Sequence, residues 1–324
     1  MPAISNRVRF IAAFAAVYLI WGSTYLGIRY AIETLPPFLM AGARFLVAGV
    51  VMFLWAKFFG GEKERASLTP VHWKNAAIVG ALLLLGGNGG VVWSEQRIAS
   101  SIAALLIMTE PLWIVLLEWR RSGHRPPSGV AIGLSLGLIG TFVLIRPQSF
   151  LDGSAEHLDL LGVLVMTLST FAWATGSLFA SRAELPKSPV LTTAVQMLCG
   201  GVLLMAAGTL FGEWSQLNLA AVSLRSWLAW IYLTVFGSII AFTAYNWILR
   251  NASPSLASTY AYVNPVIAVF LGWALGGELI TSQTIFAALI LVGAVVLITR
   301  ASPSHAPKSI VADAPAKATS LAND

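Results

Sequence analysis

Charge is what this sequence has least of. Only 10% of its 324 residues are Asp, Glu, Lys or Arg, against about a quarter in an ordinary soluble domain. Cysteine is all but missing. Cys199 stands alone, which excludes an intrachain disulfide and any Cys-pair metal site, and its place in an apolar run suits a packing residue. The four histidines, His72, His124, His157 and His305, fall in polar connections or the tail, without His-x-x-x-His spacing. The chain therefore lacks the nucleophile–base pairs and ligand sets from which a membrane-embedded enzyme is built, and no catalytic residue, metal or other cofactor is expected. Gly86-Gly87-Asn88-Gly89-Gly90 looks like a phosphate loop, but no Lys-Ser/Thr follows and it lies inside an apolar run. It reads as a flexible or closely packed stretch of helix, and ATP-driven pumping is excluded with it.

Apolar residues fill the space that charge leaves. They make up 57% of the chain, more than a soluble protein of this length can hide. About 20 helical residues cross a bilayer core. Ten runs of that kind are read at 10–29, 38–57, 75–94, 98–119, 129–146, 159–181, 190–211, 226–248, 254–275 and 283–300. They are continuous, unlike the short alternating strands of a membrane barrel. The first run carries the small-residue spacing Ala13-Phe14-Ala15 of a secretion signal but continues well past it, so an uncleaved span is expected. After Arg300 the composition turns to Ala, Pro, Ser and Lys, and residues 301–324 are expected to form a disordered cytoplasmic tail.

The two halves echo each other. Trp21 pairs with Trp173, Pro37 with Pro189, Arg97-Ile-Ala-Ser100 with Arg250-Asn-Ala-Ser253, Pro111 with Pro265, and Leu144-Ile-Arg146 with Leu297-Ile298-Thr299-Arg300. A five-span repeat has an odd number of crossings, so its twin must lie upside down, and inverted repeats of this kind build a solute site at the bilayer midplane. The predicted fold is an all-α integral membrane protein of ten transmembrane helices, made of two inverted five-helix repeats at 1–148 and 155–300.

The net charge of +6 is a topology signal rather than a sign of nucleic acid. With the N-terminus inside, fifteen of the twenty Lys and Arg fall in cytoplasmic loops and tails, four (Arg29, Arg97, Arg146, Arg225) fall outside, and Arg44 lies within a span. This split follows the positive-inside rule with both termini cytoplasmic. The partners expected are the lipid bilayer and a small-molecule substrate.

Ionisable groups inside spans cost about 2.5–3.5 kcal/mol each on insertion scales, so the two present carry information. Arg44 lies in the second run and Glu110 in the fourth. They have three readings: an internal ion pair, a shared cavity in which Arg44 holds an anionic group and Glu110 a cation or a proton, or an Arg44 that snorkels outward. Glu110 is the candidate for proton coupling. Glu110-Pro111 and Asn264-Pro265 mark expected helix kinks, where Asn264 either meets solute or satisfies its own freed backbone. Trp21, Tyr25, Trp93, Trp113, Trp173, Tyr245 and Tyr262 are candidate stacking surface, with Tyr260 at a similar depth, and Ser23, Thr24, Asn88, Ser177, Gln196, Asn246 and Asn264 are candidate polar contacts. Any single member of the polar set also fits an interhelical hydrogen bond. Ser255, Ser258, Thr259 and Tyr262 share a face if the ninth run is one helix. Gly129, Gly133 and Gly137 recur every four residues, a packing face that suits a monomer's own bundle or a homodimer.

Several motifs together resemble EamA-type members of the drug/metabolite transporter superfamily. They are Trp21-Gly-Ser-Thr-Tyr25, Pro36-Pro37, Ala41-Gly-Ala-Arg-Phe45, Gly87-Asn88-Gly89, Phe236-Gly-Ser-Ile-Ile240, Arg250-Asn-Ala-Ser-Pro254, Ala261-Tyr-Val-Asn-Pro-Val266 and Gly276-Gly-Glu278. The resemblance covers residues from about 10 to 300. It implies a bacterial inner-membrane, multi-pass exporter of small metabolites, amino acids or drugs that works by alternating access. The family's Gly-Glu pair stands at Gly277-Glu278, whereas the first half has Gly123-His124 in its place. The alternatives kept beside a secondary exporter are an uncoupled bidirectional exchanger and, without transport, a membrane sensor or scaffold.

Overall fold

A proline in the first turn, a capping side chain just before it, or both start most of the helices described in the computed structural model. It describes residues 6–62, 68–98, 103, 106–145, 159–276 and 282–301. Among these residues all regular structure is helical. Six helices are long and apolar enough to cross a membrane: α1 (Arg7–Ala31), α2 (Pro37–Phe59), α3 (Pro70–Ser94), α6 (Leu160–Ala180), α7 (Pro189–Leu210) and α8 (Leu224–Asn251). The others are α4 (Glu110–Ser122), α5 (Ser128–Ile145), α9 (Pro254–Ala257), α10 (Tyr260–Gly276) and α11 (Ser282–Ala301). The tail beyond residue 301, the Gly277-Glu278 pair and most of 99–105 lie outside the described residues.

Local chemistry sets the boundaries. Pro37, Pro70, Pro111, Pro189 and Pro254 each open a helix, where the missing N–H costs nothing. Thr69, Asp159, Ser188, Ser223 and Ser253 accept from amides of the turn that follows. The N-terminus of α2 is capped from a distance. Glu213, buried in a short 3₁₀ turn after α7, accepts from the amides of Phe38 at 3.1 Å and Leu39 at 2.8 Å.

Two expected spans are not single helices. Met108-Thr109 forms a turn before α4, and Thr109 Oγ1 donates to Leu106 O at 2.6 Å. Pro111 thus sits in the first turn of α4. The ninth run breaks at Ser258-Thr259, whose hydroxyls donate to Ser255 O and Leu256 O. The face expected from an unbroken ninth helix is therefore consumed in ending one helix and starting another. Backbone winding in α10 continues through residue 265.

Three helices contain π-wound segments, with i→i+5 hydrogen bonds: Val17–Trp21 in α1, Gly80–Gly89 in α3 and Leu233–Ala241 in α8. Such winding is rare and collects at functional sites.

Packing is tightest between α2 and α7 and between α5 and α11. Gly42 lies against Met205, and Gly201 against Leu46. Gly129 lies against Ala301, Gly133 against Ile298, and Gly140 against Ile290 and Leu291. The glycine stripe of α5 is thus covered by the chain's own α11 and, at Gly137, by Tyr262 of α10, and is not available to a second copy. Large apolar side chains line the outside: Phe59 is 78% exposed, Leu160 74% and Leu210 86%. A belt of that size needs lipid to cover it.

Candidate functional site

Inside this apolar shell the helices line a partly open cavity of about 100 Å³. Nine of the residues singled out in the sequence line it: Trp21, Thr24, Tyr25, Arg44, Asn88, Glu110, Trp173, Tyr260 and Asn264.

The glycine run of α3 brings Asn88 there. A Cβ on Gly87 would stand 2.6 Å from Cε3 of Trp173, and one on Gly90 would stand 1.9 Å from Oγ of Ser169. Only glycine lets α3 lie so close to α6. Asn88 Oδ1 then accepts from Arg44 Nη2 at 3.1 Å. Arg44 is 4% exposed, and its guanidinium carbon lies 4.2 Å from the centre of the Phe45 ring. Its Nε is buried without a hydrogen-bond partner.

Glu110 is 3% exposed. The Tyr260 hydroxyl donates to its Oε2, and its Oε1 is buried without a partner. Arg44 and Glu110 do not pair with each other. The ion pairs among the described residues are Arg97–Asp159, Arg182–Glu118, Arg225–Glu33 and His72–Glu184, all at helix ends. Arg44 does not snorkel outward either. Both charged side chains line the same cavity, each with hydrogen-bonding capacity left over.

Aromatic rings form one wall. Trp21 meets Trp173 edge-on (centroids 5.6 Å, planes at 80°), Tyr245 at 4.9 Å and Tyr260 at 5.1 Å. Its Nε1 donates to Gly237 O at 3.2 Å, a carbonyl in the π-wound part of α8. The Tyr245 hydroxyl lies behind this wall, accepting from Trp173 Nε1 at 3.3 Å and bonded to Ser177 Oγ at 2.7 Å.

The remaining expected residues sit elsewhere. Asn246 Nδ2 donates to Thr193 Oγ1 and Gln196 Oε1, both at 2.9 Å, tying α8 to α7. Ser23 donates to Ile20 O and bonds the Tyr232 hydroxyl. Trp93 carries the Arg97 guanidinium on its face at 4.5 Å, and Trp113 packs edge-on against Phe171. The Tyr262 ring lies against Gly137. These five, with Gln196, Ser177 and Tyr245, are not in the cavity lining. Asn264 is, yet its amide nitrogen reaches Tyr260 O (3.1 Å) and Tyr18 O (3.2 Å) in the orientation that satisfies both. Sequence reasoning named Thr24 and Tyr260, gave Tyr260 no contact of its own, and left out Phe45, Ser169, Thr170 and Phe242 as lining. Tyr260 matters most, because it supplies the hydrogen bond to Glu110.

Helices too apolar for water, packed around a small cavity lined by a buried arginine and a buried carboxyl, define a multi-pass membrane protein with an internal polar site. The chain belongs to the EamA-like transporter family, which matches residues 9–146 and again 160–300. It is a membrane transporter. It is 39% identical to the inner membrane transporter YedA of Escherichia coli (strain K12) over 302 residues, 93% of this chain and 94% of that protein. It is 24% identical to the transporter YoaV of Bacillus subtilis (strain 168), over 88% of this chain and 94% of that protein. It is also 24% identical to the protein PecM of Dickeya dadantii (strain 3937), over 87% of this chain and 91% of that protein. A crystal structure with 20% sequence identity shares the fold, with a TM-score of 0.73 over 92% of this chain and 98% of that one.

Proposed function

We propose that this protein is a secondary exporter of small organic metabolites, amino acids or drugs, working by alternating access across a bacterial inner membrane. The observation that carries the reading is the cavity itself. The buried Arg44 and Glu110 both line it, do not neutralise each other, and stand beside an aromatic wall. Ionisable groups at membrane depth are costly unless they serve a pathway. At about 100 Å³ the cavity is smaller than the roughly 300–1,000 Å³ of ordinary solute pockets. A solute of ordinary size therefore fits only when the helices move apart and widen the space, as alternating access provides.

In this reading the rocking bodies are two inverted five-helix repeats, residues 1–148 and 155–300, with both termini cytoplasmic. Four observations support it. The π windings of α3 and α8 begin at matching places, Gly80 and Leu233. α2 packs on α7, α5 packs on α11, and Trp21 meets Trp173.

The test is solute flux in proteoliposomes of purified protein. A proton gradient that concentrates solute establishes coupled export. Equilibration without concentration establishes the uncoupled exchanger instead. No flux of any solute that binds removes the transport reading in favour of a sensor or scaffold. Reporter fusions that placed the two termini on opposite sides would remove the inverted repeat.

A further inference from the structure

Arg44 is 4% exposed and has no carboxylate within 4.0 Å among the described residues. A guanidinium carries five N–H donors. Here one hydrogen bond is made, to a neutral acceptor, Asn88 Oδ1, and Nε has no partner. The cavity's own carboxyl, Glu110, is turned to Tyr260 instead. A buried cation left in this condition is strongly unfavourable unless something else completes it. The cavity is where that partner must come from, because Arg44 lines it.

We infer that Arg44, positioned by Asn88, is a seat for the carboxylate of the transported solute. The inference rests on the transport reading only in taking this cavity as the solute's site. Planar guanidinium matches planar carboxylate through two parallel hydrogen bonds. Charge selects a monoanion. One guanidinium balances one negative charge, and a phosphate dianion would bring a second into a chamber that already holds Glu110. The rest of the solute is apolar or aromatic, since Trp21, Trp173 and Phe242 line the same space.

The test compares phenylacetate, phenylacetamide and phenethylamine, which share a body and differ in the head group. Thermal melts of the purified full-length protein are expected to rise with phenylacetate, while the amide and amine need at least about tenfold more for the same shift. In Arg44→Gln the acid loses that advantage. Asn88→Asp keeps the protein foldable by placing a carboxylate where Oδ1 now accepts from Arg44. It is expected to melt at or above the wild-type temperature and to ignore phenylacetate. The inference is overturned if wild-type protein does not respond to the acid, if the amide matches it, if chloride alone reproduces the shift, or if Asn88→Asp responds like wild type. Flux of the amide or amine without preference for the acid would remove the carboxylate seat and leave the transporter. Acid binding without flux of any probe would do the reverse.

Discussion

Trp21 and Trp173, which occupy matching places in the two halves of the sequence, meet edge-to-face at the wall of the cavity, with ring centroids 5.6 Å apart. Gly87 holds Trp173 in that position, because a Cβ there would stand 2.6 Å from its Cε3. Gly87→Ala must therefore push the indole or separate α3 from α6. Overpacking of this kind costs about 1–3 kcal/mol, and flux is expected to fall with it. A double-mutant cycle checks the cause. In a Trp173→Leu background the same glycine change should cost less, with a coupling above about 0.5 kcal/mol. Additive melts would show that Gly87 acts through some other contact.

Glu213 offers a test of the scaffold well away from the cavity. Its carboxylate accepts two amides at the start of α2, fastening that helix to the end of α7. Glu213→Ala leaves both donors buried without acceptors, and hydrogen bonds to charged groups are each worth about 1.5–3 kcal/mol. A marked drop in melting temperature is expected, with Glu213→Gln recovering part of it through its remaining carbonyl oxygen. If alanine melts like wild type, the carboxylate is not a clamp.

The sequence discloses the six long apolar helices and the buried Arg44 and Glu110 because both are local signals, a long apolar run and an ionisable residue that interrupts it. Which side chains face the cavity depends on helical phase, and phase is lost at breaks and π windings. Tyr260 shows this. It follows the Ser258-Thr259 turn, so counting from Ser255 along an ideal helix chooses Tyr262, whose ring packs on Gly137 instead. Gln196 and Asn246 show a different limit. Their types suit a solute site, but each is the other's partner across α7 and α8, and only the packing of those helices reveals it. Arg44 and Glu110 are legible because an ionisable group deep in an apolar run is costly and therefore rare.

The α5 stripe separates packing within one chain from assembly between chains. A Cβ on Gly133 would lie 2.6 Å from Cγ1 of Ile298 and 3.0 Å from Ala294 O. Gly133→Val is expected to destabilise the protein by about 1–3 kcal/mol with no change in oligomeric mass by light scattering. A change in mass at unchanged stability would mean that the stripe faces a second copy.

Glu110 is the only carboxyl lining the cavity among the described residues, and the Tyr260 hydroxyl donates to one of its oxygens. If it carries the coupled proton, Glu110→Gln keeps the side chain's size and an acceptor for Tyr260 but removes the titration. Flux should persist down a solute gradient and lose its response to an imposed pH gradient. Tyr260→Phe removes only the donor, so it should shift the pH profile rather than abolish coupling. Asp159, near the Arg97 ion pair, does not confuse the measurement. The Gly162 amide first, and then Arg97, hold its carboxyl below the usual value of 3.8. A depressed carboxylate contributes above its unfolded value and loses that contribution only as pH falls through the lowered one. It therefore stays ionised between pH 5 and 8. A pH response over that range that survives in Glu110→Gln must come from another group, and proton coupling through Glu110 would then be wrong.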